Sequence, residues 1–506
     1  MHHALEIQEI LANIIGHYRP SYGSGEKSDL AALARTCRTF KEPALDVLWE
    51  VLHNLSPIAQ CLPEASHRPL SLDEYSFTRP LTQDEWDNLR SYTCRIQSIY
   101  NFHRGLDWES VSTFLIPPFA GSLFPNLRSL HCTFTKKSMP LLHLPLPSLV
   151  SLDIKFENLH VFQNSLQSFP KFSPKIRRLC IHVYELEATF GKFEPNYIRR
   201  WENLRSLDCP QILLDMDELV HFSRMPALTW LSFTLSATFP PSGSDPHLVF
   251  STLHDLRLKS ESLEPISRLL SQTRLATITT LATYIDTCPS KHELSSFFAA
   301  VQTSDAGRTV ENLWLIQSSP SSNVALSEDL LLRLQELLPC VAFSNLRCIK
   351  LNIAWKVGLT DSDLLALAST WPYIEHLAIN ADFGWNTPGG ITPNGLLQLL
   401  QTCRSLSRIS LAIDTQGYTE MPASGSLANP GLTLPPTFYI NVLDSVIEAD
   451  SVPAVAAFLA GIAPCWYFYF SAWDGFEMAR PPNWDVYKDR WNDVYRLANE
   501  AISPRA

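Results

Sequence analysis

Glycine is scarce in this chain: 18 of 506 residues, against 36 prolines. Proline fixes φ and interrupts helices and strands, so the chain is punctuated by stiff stops rather than flexible joints. Charge is thin as well, at 18% of residues, and the acidic side exceeds the basic to leave a net −11. That balance excludes a broad electrostatic hold on nucleic-acid phosphates. No apolar run reaches the roughly 18 residues that span a bilayer, and no basic stretch followed by an apolar one opens the sequence. The reading therefore expects neither a membrane partner nor secretion, and places the chain in a reducing cytoplasm or nucleus. Eleven cysteines are present, but no two form a CxxC pair, the close spacing that common zinc modules need. Spread singly, they read as small buried hydrophobes.

Motifs that carry chemistry are missing too. Gly191-Lys192 stands without the rest of a phosphate-binding loop, and His292-Glu293 runs into Leu294-Ser295-Ser296 rather than a second histidine. Gly23-Ser24-Gly25 lies in an inter-helix loop, not in a nucleophile elbow. The expectation is a non-enzymatic protein with no cofactor and no resident metal. Hydrophobic residues at 45% still allow a large core.

What is present is repetition. An apolar residue, two variable ones, a second apolar residue and then alternation recur from Leu127, Leu149, Ile176, Leu204, Leu228, Leu253, Leu346, Ile374 and Leu406. Weaker copies start at Ile96, Ile278, Val310 and Ala463. The mean spacing of about 28 residues and the LxxLxL core match a leucine-rich repeat. Alternation after the second apolar residue predicts a short strand with one buried face. Helical stretches precede several strands. Thr360 with Asp363 makes a capping-box pattern, Thr392 is followed by Pro393 at a first helical turn, and Ser327 precedes a leucine-rich stretch. The slot that holds Asn or Cys in the regular repeat carries Glu157, Ile212, Ala354 and Asp382, which predicts a mostly missing asparagine ladder.

The expected fold is α/β: a leucine-rich-repeat solenoid, or horseshoe, over residues 92–480. Aromatics crowd residues 461–495, and from Trp484 the apolar spacing Tyr487, Trp491, Val494, Tyr495, Ala498 is helical. Residues 481–506 therefore read as a helix sealing the last repeat, with an aromatic ligand cage as the alternative. Gln416 to Pro436 reads as a long loop, Pro240 to Pro246 as a shorter one, and residues 56–91 as a linker or insertion.

Residues 1–55 do not repeat. They hold three short apolar segments: Leu5 to Ile15, Leu30 to Phe40 and, after Pro43, Ala44 to Trp49. Within them stand Ile7-Gln8-Glu9-Ile10-Leu11 with Ile14, then Cys37-Arg38-Thr39-Phe40, then Val47-Leu48-Trp49. This ordered trio resembles the F-box of the fungal F-box-like leucine-rich-repeat proteins. Gln8 stands where that family has proline, and the loop Arg19 to Ser28 is enlarged. The resemblance implies an adaptor-binding unit of a cullin-based ubiquitin ligase joined to a repeat array that holds a protein substrate. By that resemblance Ile7, Ile10, Leu11, Ile14, Leu30, Leu33 and Leu48 include adaptor contacts. The same residues suit packing of the three helices on one another, because a short amphipathic helix has one apolar face for either purpose.

Strand alternation places a second set of candidates on the face of the sheet away from the core. These are His131, Asp153, Lys155, Arg178, His182, Trp230, Arg257, Lys259, Lys350, Asn352, His376 and Arg408, with Ser129, Cys180 and Asp255 beside them. Mixed charge suits a protein partner better than a phosphate backbone, and Trp230 reads as the anchor. Two functions follow: a substrate receptor of a ubiquitin ligase, or a protein-binding scaffold outside that system whose first helices only close the array.

Overall fold

The computed structural model describes residues 8–16, 24–102, 104–134, 143–156, 169–183, 195–239, 247–318, 330–387, 390–419, 437–462, 467–474 and 481–502. Ile7, Ser327, the loop 240–246 and most of the loop 416–436 lie outside them. The chain divides into two compact units, residues 1–213 with 225–228 and residues 214–224 with 229–506.

The first unit opens with helices α1 (Gln8–Gly16), α2 (Ser24–Ala34) and α3 (Arg38–Glu50). The sequence reading misplaced two of them. It started the second helix at Leu30, whereas α2 begins six residues earlier, so part of the presumed enlarged loop is helical. It also started the third helix after Pro43, whereas α3 runs through that proline. Pro43 is the sixth residue of α3, past the first turn, so it removes one hydrogen bond from the helix ladder. Leu11, Ile15 and Leu30 make the buried centre of the bundle, with Leu33, Phe40, Val47 and Leu48 packed against it. Residues 56–91 are not a bare linker. They carry a helical turn (Ser56–Gln60), an antiparallel hairpin (His67–Ser71 with Glu74–Phe77) and the helix Gln83–Thr93. A complete capping box at Thr82 and Glu85 starts that helix. Tyr92 near its end packs in a tilted arrangement on the buried Trp49 of α3, with ring centroids 4.8 Å apart.

Among the described residues, the first unit's sheet contains β1 (Val51–Leu52), β2 (Ser98–Ile99), β3 (Ser129–Phe134), β4 (Ser151–Phe156), β5 (Arg178–Val183) and β6 (Ser206–Leu213). They pair in chain order and every pair is parallel. The register never slips between β3 and β6: Leu130, Leu152, Leu179 and Leu207 form one row. Cys132, Ile154 and Ile181 form the next, then Phe134, Phe156 and Val183. All ten are buried. At about 1.5–3 kcal/mol per large apolar side chain, such rows are what hold one repeat to the next. A one-residue slip would turn every leucine outward.

The second unit repeats the plan with β7 (Trp230–Thr234), β8 (Asp255–Ser260), β9 (Thr280–Ile285), β10 (Asn312–Gln317), β11 (Cys348–Asn352), β12 (His376–Ile379), β13 (Arg408–Ser410), β14 (Thr437–Asn441) and β15 (Tyr467–Ser471). These too pair in chain order and in parallel. Parallel neighbours require a crossover of a dozen or more residues, and here helices supply most of it. Thr360 and Thr392 cap the helices Asp361–Thr370 and Pro393–Thr402. The leucines near 330 split between a two-residue strand (Leu331–Leu332) and a short helix (Leu334–Leu337), rather than one helix from Ser327. Each unit is thus a mixed α/β stack of repeats built on a parallel sheet.

Two strands of the repeat sheets went unread in the sequence. β1 lies inside the segment assigned to the helical start, and two paired residues are too few to show alternation. β14 follows Pro435-Pro436 in the sequence, and that proline pair made the region read as loop. The asparagine ladder is present in altered form. Asn380 is fully buried, accepts from the Ile353 N–H at 3.1 Å and donates to the Trp355 carbonyl at 2.7 Å. Gln317 accepts from the Ala354 N–H at 2.8 Å. These amides satisfy backbone groups of a neighbouring repeat from positions outside the expected slot.

In the helix Trp484–Ile502, Trp491, Val494 and Ala498 are buried. Trp491 and Tyr495 pack on Phe470 at 5.6 and 5.7 Å, and Tyr487 stacks on Trp473 at 5.9 Å. The indoles of Trp473 and Trp491 both donate to the Ser445 carbonyl, each at 2.9 Å. These rings face one another, which leaves a core rather than a ligand cage. Among the described residues no helix is long and apolar enough to cross a membrane.

Candidate binding surface

Three places hold the candidate residues. The first is the N-terminal bundle. Leu11 and Leu30 are buried in its centre, and Leu33 and Leu48 are half-buried against it. Burial removes Leu11 and Leu30 from any docking surface. Ile10 and Ile14 behave differently: they stand one helical turn apart on α1 and are 38% and 43% exposed. Spacing at i, i+4 puts two side chains on one helix face. α1 therefore turns one apolar edge into the bundle and keeps a second, smaller one outside. Arg95 pairs with both Glu42 and Asp46 of α3, which with the Trp49–Tyr92 contact joins the bundle to the rest of its unit.

The second place is the polar face of the first unit's sheet. Because the register is unshifted, His131, Asp153, Cys180 and Asp208 line up across β3 to β6. Thr133, Lys155 and His182 line up in the row two residues on. Just past β1 and β2, His53 stacks on Tyr100 at 5.7 Å and Tyr100 on His131 at 4.8 Å. His131 Nδ1 lies 3.0 Å from Asp153 Oδ2, and Cys180 Sγ lies 3.0 Å from His182 Nε2 and 3.7 Å from Asp208 Oδ2. A cavity of about 260 Å³ opens beside them, lined by His53, Tyr100, His131, Asp153 and Lys155 among others. Burial pushes the Asp153 carboxyl up, but the hydrogen bond and charge of His131, helped by His182 and Lys155, leave it below its usual range. Burial and then the carboxylates of Asp208 and Asp153 push the Cys180 thiol well above its usual value. Arg178, at the start of β5, is exposed.

The third place is the polar face of the second unit's sheet. Arg257 is held by Asp255 at 3.0 and 3.3 Å and lies over the Trp230 ring at 4.1 Å. Trp230 is therefore not a bare anchor; a guanidinium covers it. Ala282 separates Arg257 from Trp314 in the register, and its small side chain lets Arg257 come within 5.5 Å of that ring. Lys350 covers Trp314 in turn at 4.5 Å. The result is a run of alternating cations and indoles, which stiffens long side chains that would otherwise be mobile. Lys259 pairs with Asp286 at 3.4 Å, and Arg408 is exposed at the start of β13. Between Lys350 and Arg408 sits His376, whose pKa burial and those two cations lower to about 4. Asn352 does not belong to this surface: it is buried and holds the Asp382 carboxylate at 2.6 Å.

Sequence reasoning missed His53, Tyr100, Asp208 and Trp314. Trp314 and Asp208 follow the second leucine of their repeats, so the same alternation that selected Arg257 could have found them. His53 and Tyr100 follow strands of two paired residues, where no alternation is visible.

No protein-family model matches the chain, and no curated protein matches it. Solved structures do resemble it. An internalin, InlF from Listeria monocytogenes, is 10% identical, with 70% of this chain and 78% of that one covered at a TM-score of 0.29. A chain from the crystal structure of the Rad7 and Elc1 complex in yeast is 12% identical, with 84% and 92% covered at a TM-score of 0.31.

Proposed function

We propose that this protein is a non-catalytic substrate receptor. Its N-terminal bundle docks on the adaptor of a cullin-based ubiquitin ligase, and its repeat sheet holds a protein substrate. The observation that carries the first half is the exposed Ile10–Ile14 pair on a helix whose Leu11 and Ile15 are already used in the core. A free apolar edge of this kind suits a partner that removes it from water. The cation–indole run of the second unit supports the second half. Trp and Arg dominate protein interfaces, and here both are held in place before any partner arrives. The receptor supplies proximity, bringing substrate and ubiquitin-loaded enzyme into one complex.

The test is a pull-down of purified adaptor by the full-length protein and by two variants. Ile10→Asp with Ile14→Asp places carboxylates on the free edge, leaves the buried centre alone and is expected to abolish binding with an unchanged circular dichroism spectrum. Leu11→Asp buries a charge in the bundle and is expected to unfold it, which separates docking from folding. Failure of the wild type to bind at tens of micromolar would sink the ligase reading and leave the repeat sheet as a protein-binding scaffold.

A further inference from the structure

The polar face of the first unit brings together a set of donors that its packing does not use up. Asp153 projects from β4, and Cys180 and His182 from β5, two residues apart and so on one face. The register sets Asp153 directly beside Cys180. One oxygen, one sulfur and one nitrogen, each able to ligate, all lie within 4.8 Å of one another. Asp153 uses Oδ2 toward His131, while its Oδ1 is buried with no hydrogen-bond partner among the described residues. An orphaned buried acceptor of this kind calls for a cation or a donor.

We propose that Asp153, Cys180 and His182 form a binding site for a borderline-soft divalent transition cation, Zn²⁺ in the first instance. Thiolate, imidazole and carboxylate together select such a cation over Mg²⁺ or Ca²⁺, which take oxygen ligands. Coordination replaces the Cys180–His182 hydrogen bond: sulfur and nitrogen each form a bond to the metal, and the thiol proton leaves to solvent. His131 acts one step out, where its bond to Asp153 Oδ2 orients Oδ1 toward the ion. Asp208, 3.7 Å from the sulfur, adds negative charge on the far side. Lys155, in register with His182 and lining the adjoining cavity, opposes the cation. Three protein ligands leave a fourth position for water or for a donor brought by a partner. The site owes nothing to CxxC spacing: its ligands come from two adjacent repeats.

The experiment uses the full-length protein, stripped with a chelator and titrated with Zn²⁺ against a chromophoric competitor, then with Co²⁺ as a spectroscopic probe. The expected result is one equivalent bound, with near-ultraviolet thiolate-to-cobalt absorption and the visible bands of a four-coordinate ion. Cys180→Ser should abolish the thiolate band, and His182→Ala and Asp153→Asn should each weaken binding about tenfold or more. Lys155→Ala should tighten it. Circular dichroism identical to wild type in every variant separates loss of ligands from loss of fold. No binding at tens of micromolar would overturn the proposal. So would stoichiometric binding that Cys180→Ser and His182→Ala leave unchanged, since the metal would then sit on other cysteines or histidines of the chain.

Discussion

His376 should make the second unit acid-sensitive in a measurable way. It opens β12 between Cys348 and Arg408 in the register, with Lys350 close by. Burial first, then the two cations, disfavour its charged form and lower its pKa from 6.5 to about 4. The unfolded chain therefore takes up the proton first, and stability falls as the pH drops from 6.5 toward 4. Linkage between those two values gives a loss of about 2 kcal/mol between about pH 7 and pH 4.5. The ring is partly exposed, so screening by solvent reduces this to about 1 kcal/mol. Urea unfolding of wild type and His376→Gln at both pH values isolates the contribution, because other groups cancel in the difference. The wild type should lose about 1 kcal/mol more than the variant, and Lys350→Met should shrink that gap by removing one of the cations. Equal losses in wild type and His376→Gln would refute the reasoning, since the histidine would then titrate alike folded and unfolded. The chain has two compact units, so the transition followed must be the one belonging to residues 214–224 and 229–506.

Further predictions concern single contacts. Glu85 is held by Arg79, Ser66 and Thr82, with the Arg79 hydrogen bond foremost in lowering its pKa to about 2; stability should be fully present above pH 4.5 and decline as the pH falls toward 2. Glu85→Gln should lower the thermal midpoint at neutral pH and flatten that acid limb, and an unchanged limb would count against the pairing. Asn380 sits at φ 54° with two buried hydrogen bonds to a neighbouring repeat. Asn380→Ala should cost about 2–4 kcal/mol in urea unfolding, and Asn380→Gly about 1 kcal/mol less, because glycine adopts that conformation freely. A Cβ on Gly395 would overlap the Asp361 carboxylate, which accepts from the Thr392 N–H at 2.8 Å and its hydroxyl at 2.7 Å. Gly395→Ala should destabilise by about 1–3 kcal/mol, and a change of a few tenths would show that the carboxylate can move aside.

Local periodicity carried much of the structure. The LxxLxL pattern marked nearly every strand of both sheets, and Thr360 and Thr392 started helices where their side chains demand. Both signals live within a few residues, so the chain states them without reference to anything distant. The N-terminal bundle shows where that reading stops. Ile10, Leu11 and Ile14 are equivalent as letters, but only the packing of α2 and α3 decides that Leu11 is buried and its neighbours are not. Pro43 looked like a helix boundary because proline usually is one, whereas α3 runs through it.

For each strand that it revealed, the sequence by itself determined which side a residue faces, because alternation is a property of two consecutive bonds. It placed His131, Asp153, Cys180 and His182 on a polar face, and Arg257 and Trp230 on another. Only the tertiary structure decided which of them meet. That depends on register between strands some 22 to 36 residues apart, set by the joint fit of leucine rows and the helices behind them. The Asp153–Cys180–His182 cluster and the cation–indole run exist because those rows align without a slip.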